Sequence, residues 1–146
     1  MNKVERVSRS MYDGTFVAHP GTWAVLNNDG SIQNITTDTP SKINKMVIGS
    51  RSGNIYESHD TAGGRIATME SQGVRVLCGT DCYYGTINLG DRLVASAAAL
   101  TKGKLVSVEE TAEVGDFEVV AIAEEIHINE HYIIFRTVSP VMVTIS

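Results

Sequence analysis

The second half of the chain alternates short β-forming runs with glycine-bearing turns, and this punctuation constrains the fold more than any other feature. Tyr83 to Asn88, Arg92 to Ser96, Lys104 to Glu109, Phe117 to Glu124, Tyr132 to Val138 and Val141 to Ile145 all fit strands, with Gly90-Asp91, Lys102-Gly103 and Gly115-Asp116 between several of them. Closely spaced strands of this kind bury one face and hide most edges by closing as a barrel or stacking as a sandwich. The one helical contender, Ala95 to Leu100, is too short to be stable by itself and reads as a turn or a single helical turn.

The first half carries similar signals. Thr22 to Leu26 and Ser31 to Thr36 flank Asn27-Asn28-Asp29-Gly30, residues that tolerate the positive φ of a tight hairpin turn. Lys45 to Ser50 and Asn54 to Ser58 surround Gly53, and Arg65 to Glu70 and Val74 to Cys78 surround Ser71-Gln72-Gly73, which predicts two further hairpins. Thr39-Pro40-Ser41 and Thr61-Ala62-Gly63-Gly64 read as loops. At 146 residues the chain has the size of one domain and is long enough to close a core without disulfides or metal. The expected fold is therefore all-β: a small barrel or sandwich of short antiparallel strands forming a single domain over residues 1-146. Residues 84-138 are its most regular, barrel-like part and residues 1-24 an N-terminal arm or extension.

Charge and composition narrow the function classes. A net charge of −5 with 12 scattered basic residues argues against direct nucleic-acid binding, because phosphate neutralisation needs a concentrated Lys/Arg face. The apolar fraction of 42% is ordinary for a globular chain. No run approaches the roughly 18 apolar residues of a spanning helix, and the opening MNKVERVSRS lacks the apolar stretch of a secretory signal. The expectation is a protein made in a cytoplasm with no membrane partner. There Cys78 and Cys82 would stay thiols and pack as small core or turn residues.

Several short patterns resemble chemistry. His127-Ile128-Asn129-Glu130-His131 has the H-x-x-E-H spacing of inverted zinc proteases, in which two histidines one helical turn apart share a metal. That arrangement needs a helix, whereas these flanks are β-rich and Asn129-Glu130 falls where a hairpin would turn. The histidines are read as exposed turn residues. Cys78-x-x-x-Cys82 lacks two further zinc ligands, and His59 stands alone in its polar loop. Gly63-Gly64-Arg65 is too short for a phosphate loop, and Gly49-Ser50-Arg51-Ser52-Gly53 puts Arg51 where a nucleophile elbow needs serine. Glu109-Glu110 and Glu124-Glu125 are expected to point to opposite faces of their strands, which leaves at most one of each pair on a shared site. Asn34-Ile35-Thr36 is a formal glycosylation sequon without consequence outside a secretory route. The reading is a non-enzyme with no catalytic residues, cofactor or metal site.

One resemblance remains. Gly90-Asp91-Arg92-Leu93-Val94, Gly103-Lys104-Leu105-Val106, the run from Gly115-Asp116-Phe117 to Glu124-Glu125, and the strand His131 to Arg136 together resemble the tailed-bacteriophage capsid decoration, or cement, proteins. The likeness covers roughly residues 84 to 138, with Ala121 standing where that pattern usually has glycine. It implies a small β-barrel and a structural role. Such proteins bind the outer surface of an expanded capsid, commonly as homotrimers at local three-fold positions, and bridge neighbouring major-capsid subunits. The implied partner is the major capsid protein and the implied location the outer surface of the virion. Tyr12, Phe16, His19, Pro20 and Trp23 gather large side chains in a segment of poor alternation, as an arm that orders on a partner would. The competing reading places Phe16 and Trp23 in the barrel core. Two rival functions stay open: another virion component of the neck, tail or fibre base, and a small zinc-dependent enzyme using His127 and His131.

Overall fold

Asp29 closes the first hairpin. Its carboxylate accepts hydrogen bonds from the Ser31 backbone N–H at 2.9 Å and the Ser31 hydroxyl at 2.6 Å, and Gly30 takes a φ of 86°. The chain thereby reverses between β2 (Trp23–Leu26) and β3 (Ile32–Gln33), as the turn residues predict. The computed structural model describes residues 5–10, 20–35, 43–50 and 65–146. Within them the chain is all-β, arranged as two five-stranded antiparallel sheets. The first sheet has β1 (Arg6–Ser10), β4 (Asn44–Ser50) and β5 (Arg65–Met69) beside that hairpin, in the order β1-β5-β4-β2-β3. The second holds β6 (Arg75–Gly79), β7 (Arg92–Ala95), β8 (Leu105–Ser107), β9 (Gly115–His127) and β10 (Tyr132–Ile145), in the order β6-β10-β9-β7-β8.

Register explains the shared core. Trp23 lies opposite Met46, and Met46 opposite Met69, so three large apolar side chains form one row across the first sheet. That row packs in a single hydrophobic cluster with Phe117, Val119, Leu93, Leu105, Ile133 and Phe135 of the second sheet. Phe135 is fully buried, which favours the folded state by roughly 1.5–3 kcal/mol. The alternate residues of the first sheet, Ala24 and Val47, join Ile32 in a smaller cluster on its other face. Thr68 is buried on that face, where Arg9 bonds its hydroxyl and forms an ion pair with Glu70.

Three expectations change. Arg65 to Glu70 and Val74 to Cys78 do not form a hairpin, because β5 already has β1 and β4 on its two edges. Gly73, with a φ of 72°, instead hands the chain to the second sheet, where its N–H and that of Val74 both bond Thr137. Tyr83 to Asn88 forms no named strand and makes only an isolated parallel bridge, Tyr83 to Leu105. Tyr132 to Val138 and Val141 to Ile145 are one strand, β10, whose pairing with β9 is interrupted between Thr137 and Val141. Pro140, which has no N–H to donate, lies in that gap. Within residues 1-24, β1 and the start of β2 are strands of the first sheet. Asn54 to Ser58, Thr39-Pro40-Ser41 and the Gly63-Gly64 loop lie outside the described residues. Ala98 to Leu100 forms the anticipated turn, closed by Thr101 N–H on the Ala98 carbonyl.

Candidate functional site

The turn at Gly90-Asp91 organises the end of the second sheet. Gly90 has a φ of 85°, and the Asp91 carboxylate accepts the Asn88 N–H at 2.9 Å and the Ser107 hydroxyl at 2.7 Å. This ties the entry of β7 to the end of β8. Beyond β8, the Ser107 carbonyl accepts the Thr111 N–H, and Glu113 reaches back to accept the Ala97 N–H at 2.8 Å. On the other side, the Tyr84 N–H bonds the Leu105 carbonyl. These hydrogen bonds fix three loops around Val106 and Ser107, and between them lies an open groove of about 340 Å³.

The groove is mostly apolar, and no basic residue lines it. Glu110 stands exposed at its rim, and its carboxylate accepts a hydrogen bond from Asn88 Nδ2 at 3.4 Å. Leu100, in the loop that supplies Ala98 and Thr101 to one wall, is 95% exposed, and Tyr84 on the opposite wall is 59% exposed. A concave apolar surface with a carboxylate at its edge suits an extended segment carrying a cation beside small aliphatic groups.

The residues singled out from sequence fall elsewhere. Trp23 is a core side chain, the second of its two readings, and its indole N–H has no hydrogen-bond partner among the described residues. Pro20 is half-buried in the turn before β2. Tyr12, Phe16 and His19 lie outside the described residues. His127 ends β9 and stacks on Tyr132, with ring centroids 4.5 Å apart, while His131 closes a short 3-10 turn with a left-handed φ of 62°. A hairpin therefore occupies the place where a zinc-protease pair would need a helix. Cys78 and Cys82 are both buried, and they lie side by side.

Glu124 and Glu125 depart from the expected alternation. The pairing steps from Ile134–Glu125 to Phe135–Ala123, so Glu124 is an extra residue in a β-bulge. Both carboxylates consequently reach Arg75, and Glu124 also binds Arg136 at 2.8 Å. The hydrogen bond from Arg136, and then that from Arg75, holds Glu124 below the usual carboxylate range. Hydrogen bonds from His127 and Arg75 do the same for Glu125. These carboxylates clamp β6, β9 and β10 together. Glu109, beyond β8, pairs with Arg92 at 2.9 Å. Among the described residues, no group of three or more His, Cys, Asp or Glu is placed to hold a metal ion. No helix among them is long and apolar enough to cross a membrane.

Period-two alternation does not reveal the bulge, and the groove is assembled from three separate loops between Tyr84 and Glu113. Only the Asp of Gly90-Asp91 hinted at an organised turn. Compared with protein-family models, curated proteins and solved structures, the chain matches none.

Proposed function

We propose that this chain is a structural virion protein that binds the outside of a tailed-phage capsid and bridges neighbouring major-capsid subunits. The observation that carries the reading is the acidic-rimmed apolar groove beside Gly90-Asp91, formed within the segment that resembles capsid decoration proteins. Its occupant is an extended segment of the major capsid protein that presents a Lys or Arg to Glu110 and small aliphatic side chains to Val106. A single groove of this size gives weak attachment. Three copies in a homotrimer bind far more firmly, because each engaged groove raises the effective concentration of the next. No catalytic step enters the reading.

Negative-stain imaging of virions that carry a labelled copy tests it. Label distributed over the shell is the expected result, whereas label confined to the neck or tail would assign the protein to those structures instead.

A further inference from the structure

Cys78 ends the buried part of β6, and the chain turns immediately beyond it. The Cys82 N–H donates to the Gly79 carbonyl at 3.1 Å and the Cys82 thiol to the same oxygen at 3.2 Å, which returns Cys82 to the side of Cys78. Gly21 packs on the pair. A methyl group placed on its α-carbon would sit 3.1 Å from Cys82 Sγ and 3.9 Å from Cys78 Cβ, so one point touches both side chains. The two thiols are 3% and 4% exposed, among the core residues. Hydrogen bonding to the Cys82 sulfur, burial and the neighbouring charge of a Cys82 thiolate all push the Cys78 thiol upward.

We propose that Cys78 and Cys82 are a modification site that closes to an intramolecular disulfide on meeting a small-molecule disulfide such as oxidised glutathione. The Cys82 thiolate attacks one sulfur of the oxidant and expels one glutathione thiolate, leaving a mixed disulfide. Cys78 then gives its proton to solvent and attacks the Cys82 sulfur, expelling the second glutathione thiolate. Two protein thiols are oxidised and one small disulfide is reduced to two thiols. Burial beneath Gly21 makes the first attack slow, so oxidation requires Gly21 to move off the pair. Once formed, the link fastens the end of β6 to the loop that leads through Tyr83 to the groove. This inference is independent of the capsid reading.

The test equilibrates the full chain in glutathione redox buffers, with one arm unfolded in denaturant and refolded in the same buffer so that burial cannot block reaction. Alkylation, intact mass and peptide mapping then read the products. The expected result is loss of two hydrogens with a 78–82 cross-link, and an oxidation constant at least about tenfold above that of the chain kept in denaturant. In Cys78→Ser, Cys82 should stop at the glutathione adduct. A folded-state constant equal to or below the denatured one, or glutathione adducts as the main product of the native sequence, would overturn the proposal.

Discussion

The backbone N–H of Trp23 donates to the carbonyl of Gly103 at 2.8 Å, joining a strand of the first sheet to the loop between β7 and β8 of the second. A side chain at Gly103 would place its β-carbon 2.7 Å from the Trp23 carbonyl oxygen, on a backbone with a φ of 83°. Gly103→Ala is therefore expected to lose about 2–4 kcal/mol in denaturant unfolding, from backbone strain and the clash together. Gly30→Ala is the comparison, since Gly30 has a similar φ of 86° but open space around it. It should cost only about 1 kcal/mol. Equal losses in the two variants would show that the contact between the sheets is not tight.

Two carboxylates, the half-buried Glu70 and the buried Glu118, predict opposite pH effects. Burial alone would raise Glu70, but hydrogen bonds from Lys45 and Thr68 and the charges of Lys45 and Arg9 hold it below its ordinary value. A depressed carboxylate contributes stability above its unfolded value and loses it as pH falls through the folded value. Glu70→Gln should cost about 1 kcal/mol at neutral pH, and the difference should shrink as pH falls below the ordinary glutamate value of about 4.3 and vanish only below the depressed folded value.

Glu118 behaves in the reverse sense. It is 7% exposed, and burial raises it despite the hydrogen bond it accepts from the Asn44 N–H at 3.1 Å. A raised carboxylate favours the folded state below its unfolded value, and that contribution is lost as pH rises through the folded value. Glu118→Gln should therefore be more stable at neutral pH by on the order of 1 kcal/mol, and the gain should vanish in acid. Its new amide also offers a donor to Asn44 Oδ1, which has no hydrogen-bond partner among the described residues. Chemical unfolding across a pH series separates the two carboxylates.

Surface changes at the groove should leave the fold alone. Leu100 is 95% exposed and Glu110 lies on the surface, so Leu100→Asp and Glu110→Lys should each shift stability by less than about 0.5 kcal/mol. Each should weaken attachment to capsids by at least about tenfold. Unchanged binding in both variants would remove the groove from the interface.

Much of the architecture was legible where chemistry is local. Asn27-Asn28-Asp29-Gly30 requires a reversal, and the strands starting at Arg92 and Tyr132 follow from their own composition. Strand partners were less legible. Ser71-Gln72-Gly73 signals a turn equally well whether the next strand pairs back or crosses to another sheet, and the occupied edges of β5 decide the outcome. The bulge at Glu124 breaks the alternation that placed its carboxylate away from that of Glu125. Trp23 is large enough to serve as a core residue or a contact, and only its position opposite Met46 distinguishes them. The groove was invisible because its walls come from loops that the hydrogen bonds of Asp91 and Glu113 bring together.

The most direct measurement of the capsid-binding account is co-sedimentation of the purified protein with expanded phage capsids that lack it, with unexpanded capsids as the comparison. The account predicts saturable binding to the expanded shells at a fixed ratio to the major capsid protein, together with greater resistance of those shells to heat. Protein that stays in the supernatant at concentrations far above those of the capsid sites would contradict it.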